Sequence, residues 1–188
     1  MNRIRVTPGF VVLLSASAYF GSARLLAALL TGAAIHEAGH LLTMRLLGCR
    51  LERLTLSACG AELVLENRVN LSFRRELLLS LSGPAANLLS ALILTALDEM
   101  PLLLGANLLL CVVNLLPLRP LDGGTALFAA LSLLLPPLWA ERLTVWLSGA
   151  LALIVLAAGV CFFFHPEGRP WLLLMGLWLT YTAFRRRT

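Results

Sequence analysis

Apolar runs close to the length of a membrane crossing recur from one end of this 188-residue chain to the other, and that pattern removes most of the folds open to it. Lipid offers no water to pair with backbone N–H and C=O groups, so a spanning segment must be a helix or part of a closed barrel. The runs here are continuous rather than alternating, which selects helices. They fall at about 10–21, 25–47, 76–97, 102–118, 143–164 and 171–184, with a shorter apolar stretch at about 125–135. Each is near the roughly 20 residues that cross the hydrocarbon, the first and last being marginal. Composition agrees: 59% of residues are hydrophobic and 13% charged, against about half and about a quarter in a soluble domain.

The expected fold class is therefore an all-α polytopic membrane protein of about six transmembrane helices, forming one domain over 1–188. Its core covers 25–130, with accessory helices in 1–24 and 136–188. The run at 10–21 is read as a retained span. Ala16 and Ala18 also resemble the small-residue cleavage site of a signal peptide, which is the alternative. Between spans two and three, residues 49–66 change character. Leu54, Leu56 and Ala58 alternate with Thr55 and Ser57, and Leu63 and Leu65 alternate with Glu62 and Val64. That period of two, broken at Gly60, predicts a small membrane-associated β-hairpin; an irregular amphipathic loop is the other reading.

The net charge of +5 comes from arginine alone, with no lysine in the chain. No basic stretch is interleaved with aromatic residues, so nucleic acid is not an expected partner. The arginines act instead as topology signals. With six spans, all but Arg24 and Arg169 fall on the side of the two termini. The positive-inside rule then puts both termini in the cytosol, in what is expected to be a bacterial cytoplasmic membrane. Cys49, Cys59, Cys111 and Cys161 make no CxxC pair and read as reduced packing residues.

Against this apolar background four side chains stand out: His36, Glu37, His40 and Asp122. An ionisable group at mid-helix costs about 2.5–3.5 kcal/mol even on a mild insertion scale, so three within five residues need compensation. A bound cation supplies it. On a helix His36 and His40 lie about 40° apart and about 6 Å along the axis, so both imidazoles reach one ion, while Glu37 falls to the side. That is the arrangement of HExxH zinc hydrolases, in which the glutamate is the general base. Ala38 and Gly39 leave room for a neighbouring helix. Asp122 is the best third ligand: Pro117 and Pro120 interrupt the fourth span before it, and Gly123 and Gly124 allow a tight turn after it. An Asp that only caps the next helix is the competing reading. Asn107 reads as packing.

Taken together, His36-Glu37-Ala38-Gly39-His40, then Asn114 and Pro117, then Leu121-Asp122-Gly123 resemble the site-2 protease family of intramembrane metalloproteases. Its HExxH and NxxPxxxxDG signatures are both present, and Ser82-Gly83-Pro84-Ala85-Ala86-Asn87 is similar to its glycine-rich GxxxN stretch. The small layout looks most like the stage IV sporulation protein FB branch. Two departures are expected: 48–74 has no room for a PDZ domain, and no CBS domain follows the final arginines. The resemblance implies one Zn²⁺ per chain on His36, His40 and Asp122, with Glu37 catalytic. It also implies a pocket shaped by Asn114, Pro117, Asn87 and Gly83. The implied partner is a protein substrate with a transmembrane or membrane-proximal segment, cut in regulatory proteolysis such as release of a transcription factor. A membrane-protein inhibitor or regulator and the bilayer complete the expected partners. A catalytically idle membrane scaffold and, further off, a metal transporter are the alternatives.

Overall fold

The computed structural model describes residues 4–6, 22–49, 51–57, 60–65, 71–97, 100–119, 121–165 and 171–184. In chain order these give strand β1 (Ile4–Val6), helix α1 (Ala23–Leu46), strands β2 (Leu51–Ser57) and β3 (Gly60–Leu65), and helices α2 (Phe73–Leu97), α3 (Pro101–Leu115), α4 (Asp122–Ser132), α5 (Pro137–Phe163) and α6 (Trp171–Phe184). The expected first span at 10–21 lies outside the described residues.

Three helices, α1, α2 and α5, are long and apolar enough to cross a membrane. Helices α3 and α6 have 15 and 14 residues, about 22 and 21 Å at 1.5 Å per residue, short of a hydrocarbon core of about 30 Å. Of the expected spans, three are thus long enough among the described residues, and α3 and α6 are present as shorter apolar helices. Large apolar side chains stay exposed on α1, α2, α3, α5 and α6, among them Leu42, Leu92, Val112, Ile154 and Leu177. Apolar surface on this scale marks a membrane-facing or partner-facing exterior, and with the three long apolar helices it makes the chain a membrane protein.

The strands of the hairpin expected within 49–66 are present as β2 and β3, and an unexpected third strand joins them. Residues 51–57 and 60–65 pair antiparallel, from Leu51 with Leu65 to Ser57 with Gly60, with an irregularity between Leu51 and Arg53. The third strand, β1, lies parallel to β2, with Ile4 beside Leu54 and Val6 beside Leu56, so the sheet order is β1-β2-β3.

The chain divides into two compact units: residues 1–75 with 82–112, and residues 76–81 with 113–188. In the first, α1 buries Ala28, Gly32, His36, His40 and Met44, a stripe with one member per turn. Glycine lets the neighbouring helices close on that stripe. A Cβ on Gly32 would lie 2.9 Å from Leu110 Cδ1, and one on Gly39 would lie 2.5 Å from the Ser82 carbonyl oxygen and 2.7 Å from Ala86 Cβ. The helix ends where Gly48 takes φ +69°. The Gly48 N–H donates to the Arg45 carbonyl and the Cys49 N–H to that of Met44, a Schellman stop with Arg45 at the negative end of the helix dipole.

In the second unit α5 and α6 pack closely. A Cβ on Gly159 would meet the Leu173 backbone at 2.8 Å, and one on Gly176 would meet Leu156 Cα at 2.6 Å. Leu118, Ala152, Leu179 and Ala183 form the buried core, backed by Leu116, Leu121, Leu151, Val155 and Trp178. Proline at Pro137 opens α5 at its first turn, where no N–H partner is lost.

Candidate metal centre

The four-residue spacing on α1 puts His36 and His40 one above the other, both buried, at 6% and 7% exposure. Their rings meet edge-on with centroids 4.8 Å apart, and their Nε2 atoms face each other at 3.2 Å. Each Nδ1 is held from α2. The His36 Nδ1 lies 2.6 Å from Asn87 Oδ1, and the His40 Nδ1 lies 3.2 Å from Ser82 Oγ.

Which nitrogen of His36 carries the proton follows from Asn87. Its amide nitrogen donates to the Gly32 carbonyl at 2.9 Å and to Asn107 Oδ1 at 2.8 Å. Its oxygen is therefore the atom facing His36, and an oxygen there only accepts. His36 Nδ1 must carry the hydrogen, which in a neutral ring leaves the Nε2 lone pair pointing at His40. Two such nitrogens at 3.2 Å repel unless a cation or a proton lies between them. This is how a metal-binding histidine pair is prepared: the second nitrogen fixes the tautomer and the first is presented.

Gly83 keeps the space beside the pair open. A Cβ there would lie 2.6 Å from His36 Nε2 and 2.7 Å from its Cε1, and would also strike His40 Nε2. Any side chain at this position would occupy the room a ligand needs. Two imidazole nitrogens suit zinc among the common divalent ions, so the residues present fit the expected metal. Glu37, half-buried on the same helix, lies one position along from His36 and about 100° around the axis.

Asp122, in the other unit, stands at the start of α4 in its first turn, where the helix dipole favours a carboxylate. The turn before it is tight: the Leu118 N–H donates to the Leu116 carbonyl at 2.7 Å and that of Leu121 to the Leu118 carbonyl at 2.8 Å. Ser148 on α5 donates its hydroxyl to the Pro117 carbonyl at 2.9 Å. Gly123 and Gly124 are buried with no room for a Cβ, which would strike the carbonyls of Leu115 and Leu116 in the first case and of Leu118 in the second. Asn114 is half-buried near the end of α3.

Of the site residues expected from sequence, His36, His40, Asn87 and Gly83 come together in one unit, while Asp122, Asn114 and Pro117 belong to the other. Two polar residues were missed. Asn107, expected only to pack, is buried and bonded to Asn87. Ser82 was noted only as a neighbour of Gly83. A second asparagine in the middle of an apolar run was the available signal for the first.

No family model matches the sequence. The chain is 28% identical to "Stage IV sporulation protein FB" of Bacillus subtilis over 194 aligned positions, covering 98% of this chain and 67% of that protein. Its fold is similar to that of the "Site-2 Protease from Methanocaldococcus jannaschii", with a TM-score of 0.70 and 25% identity, over 96% of this chain and 88% of that one.

Proposed function

We propose, from the site-2 protease family that both likenesses support, that this chain is a membrane-embedded zinc endopeptidase. The observation that carries the reading is the buried imidazole pair, with facing Nε2 atoms 3.2 Å apart and a glycine where a side chain would fill the adjoining space. His36 and His40 hold the ion and Asp122 is the third ligand. Two imidazole nitrogens with one carboxylate oxygen leave a fourth position open, as a catalytic zinc requires.

Bound there, zinc supplies a Lewis acid that polarises the scissile carbonyl and lowers the pKa of water. Glu37 takes the proton from the attacking water and returns it to the leaving amine. Asp122 and the imidazoles keep the donor set fixed while the carbonyl rehybridises. Asn114 and Pro117 shape the substrate side of the pocket. The substrate is a protein with a transmembrane or membrane-proximal segment, and the cut serves regulatory proteolysis such as release of a membrane-held transcription factor. Both termini face the cytosol, on the arginine distribution.

Zinc per chain in the purified wild type, Glu37→Gln and Asp122→Ala tests the assignment without knowledge of the substrate. About one zinc in the first two and loss in the third is the expected result. A folded wild type that takes up no zinc would overturn the reading.

A further inference from the structure

Asn107 is hydrogen-bonded to Asn87 and is completely buried. Each of its bonds permits one orientation only. Its amide nitrogen lies 2.8 Å from the Leu103 carbonyl, which can only accept, so its Oδ1 is turned to Asn87 and takes that residue's N–H at 2.8 Å. The second N–H of Asn87 goes to the Gly32 carbonyl, one turn before His36 on the same helix. With both its donors placed, Asn87 has only its oxygen for His36 Nδ1. Asn87 too is fully buried, so no water substitutes for a lost partner.

We propose that Asn107 is a positioning residue for the metal centre: through Asn87 it holds His36 in the tautomer protonated on Nδ1, with Nε2 left for the metal. The inference rests on the reading of His36 as a ligand. The relay runs from the Leu103 carbonyl through two side-chain amides to one ring nitrogen, and every link has a fixed donor and acceptor. Removing Asn107 leaves one Asn87 N–H buried without an acceptor. The pressure to recover that bond makes other Asn87 rotamers competitive, and each of them withdraws the oxygen from His36.

The test uses the full chain in detergent, labelled with ¹⁵N-histidine and freed of metal, at a pH where the rings are neutral. The chain has three histidines, and the His36 signals are those lost in His36→Gln. Long-range ¹H–¹⁵N correlation distinguishes a proton on Nδ1 from one on Nε2. The wild type is expected to show Nδ1–H alone. Asn107→Leu is expected to show both tautomers and a zinc affinity, by chelator competition, lower by roughly 10–100-fold. Asn107→Asp, protonated in this apolar setting, both accepts from Asn87 and donates to Leu103, and should restore both readings. A wild-type His36 protonated on Nε2 overturns the proposal without any variant, so misfolding of Asn107→Leu cannot shelter it. A folded Asn107→Leu protein with Nδ1–H alone and wild-type zinc affinity overturns it as well. Absence of zinc uptake, with an Nδ1–H signal that Asn107→Leu scrambles, supports the relay and counts against the metalloprotease reading alone.

Discussion

Gly83 gives the sharpest test of the centre at the scale of single residues. Gly83→Ala introduces a methyl group 2.6 Å from His36 Nε2, so zinc content should fall well below one per chain and cleavage should be lost. Gly105→Ala, where nothing lies within 4 Å of the new methyl, is the matched control. It should keep its zinc and gain up to about 1 kcal/mol of helix stability, seen as a slightly raised melting temperature. Glu37→Gln should do the reverse of Gly83→Ala, retaining zinc while turnover falls by about 10²–10⁴-fold, measured on a peptide or membrane substrate. The juxtaposition of His36 and His40 was legible in the sequence because a local spacing fixes it: two residues four apart share a helix face wherever the helix goes. Asn107 was not legible, because its role depends on Asn87, twenty positions away on another helix. No helical period encodes that distance.

Among the elements, the long helices were readable to within a few residues, since lipid demands continuous apolar runs and α1, α2 and α5 supply them. The end of the fourth run was misplaced: α3 stops at Leu115, and the N–H groups of Leu118 and Leu121 turn back onto the carbonyls of Leu116 and Leu118 instead of continuing the helix. Strand β1 could not have been anticipated. Three residues carry no readable alternation, and their partner is some fifty residues further on. The sheet order also changes what a mutation there means. Leu56 sits in the central strand, beside Val6 and Ala61, so Leu56→Pro disrupts pairing on both sides. It should abolish cleavage while leaving zinc bound, the metal residues lying on other elements. Where α5 meets α6, Gly176→Val should lower the melting temperature, with a loss of about 1–3 kcal/mol from forced separation of the two backbones. Both effects are read by thermal unfolding in detergent beside a zinc assay.

For the molecule as a whole, exposed leucine and isoleucine on five of the six described helices mean that the chain should resist alkaline extraction from membranes and require detergent for release. At the start of α5 the polar border is visible: Arg119 pairs with Glu141 at 2.9 Å, and the Arg142 guanidinium lies over Trp139 at 5.3 Å, a mixture of arginine and tryptophan typical of a headgroup region. The Schellman stop at Gly48 has a mechanical side. Only residues 47–50 separate the last turn of α1 from β2; the N–H groups of the first three, Leu47, Gly48 and Cys49, are tied back to that turn, which leaves a single residue, about 3.5 Å of chain, before the strand. With so little slack, any displacement of β2 is carried directly into the last turns of α1, the helix that bears His36 and His40.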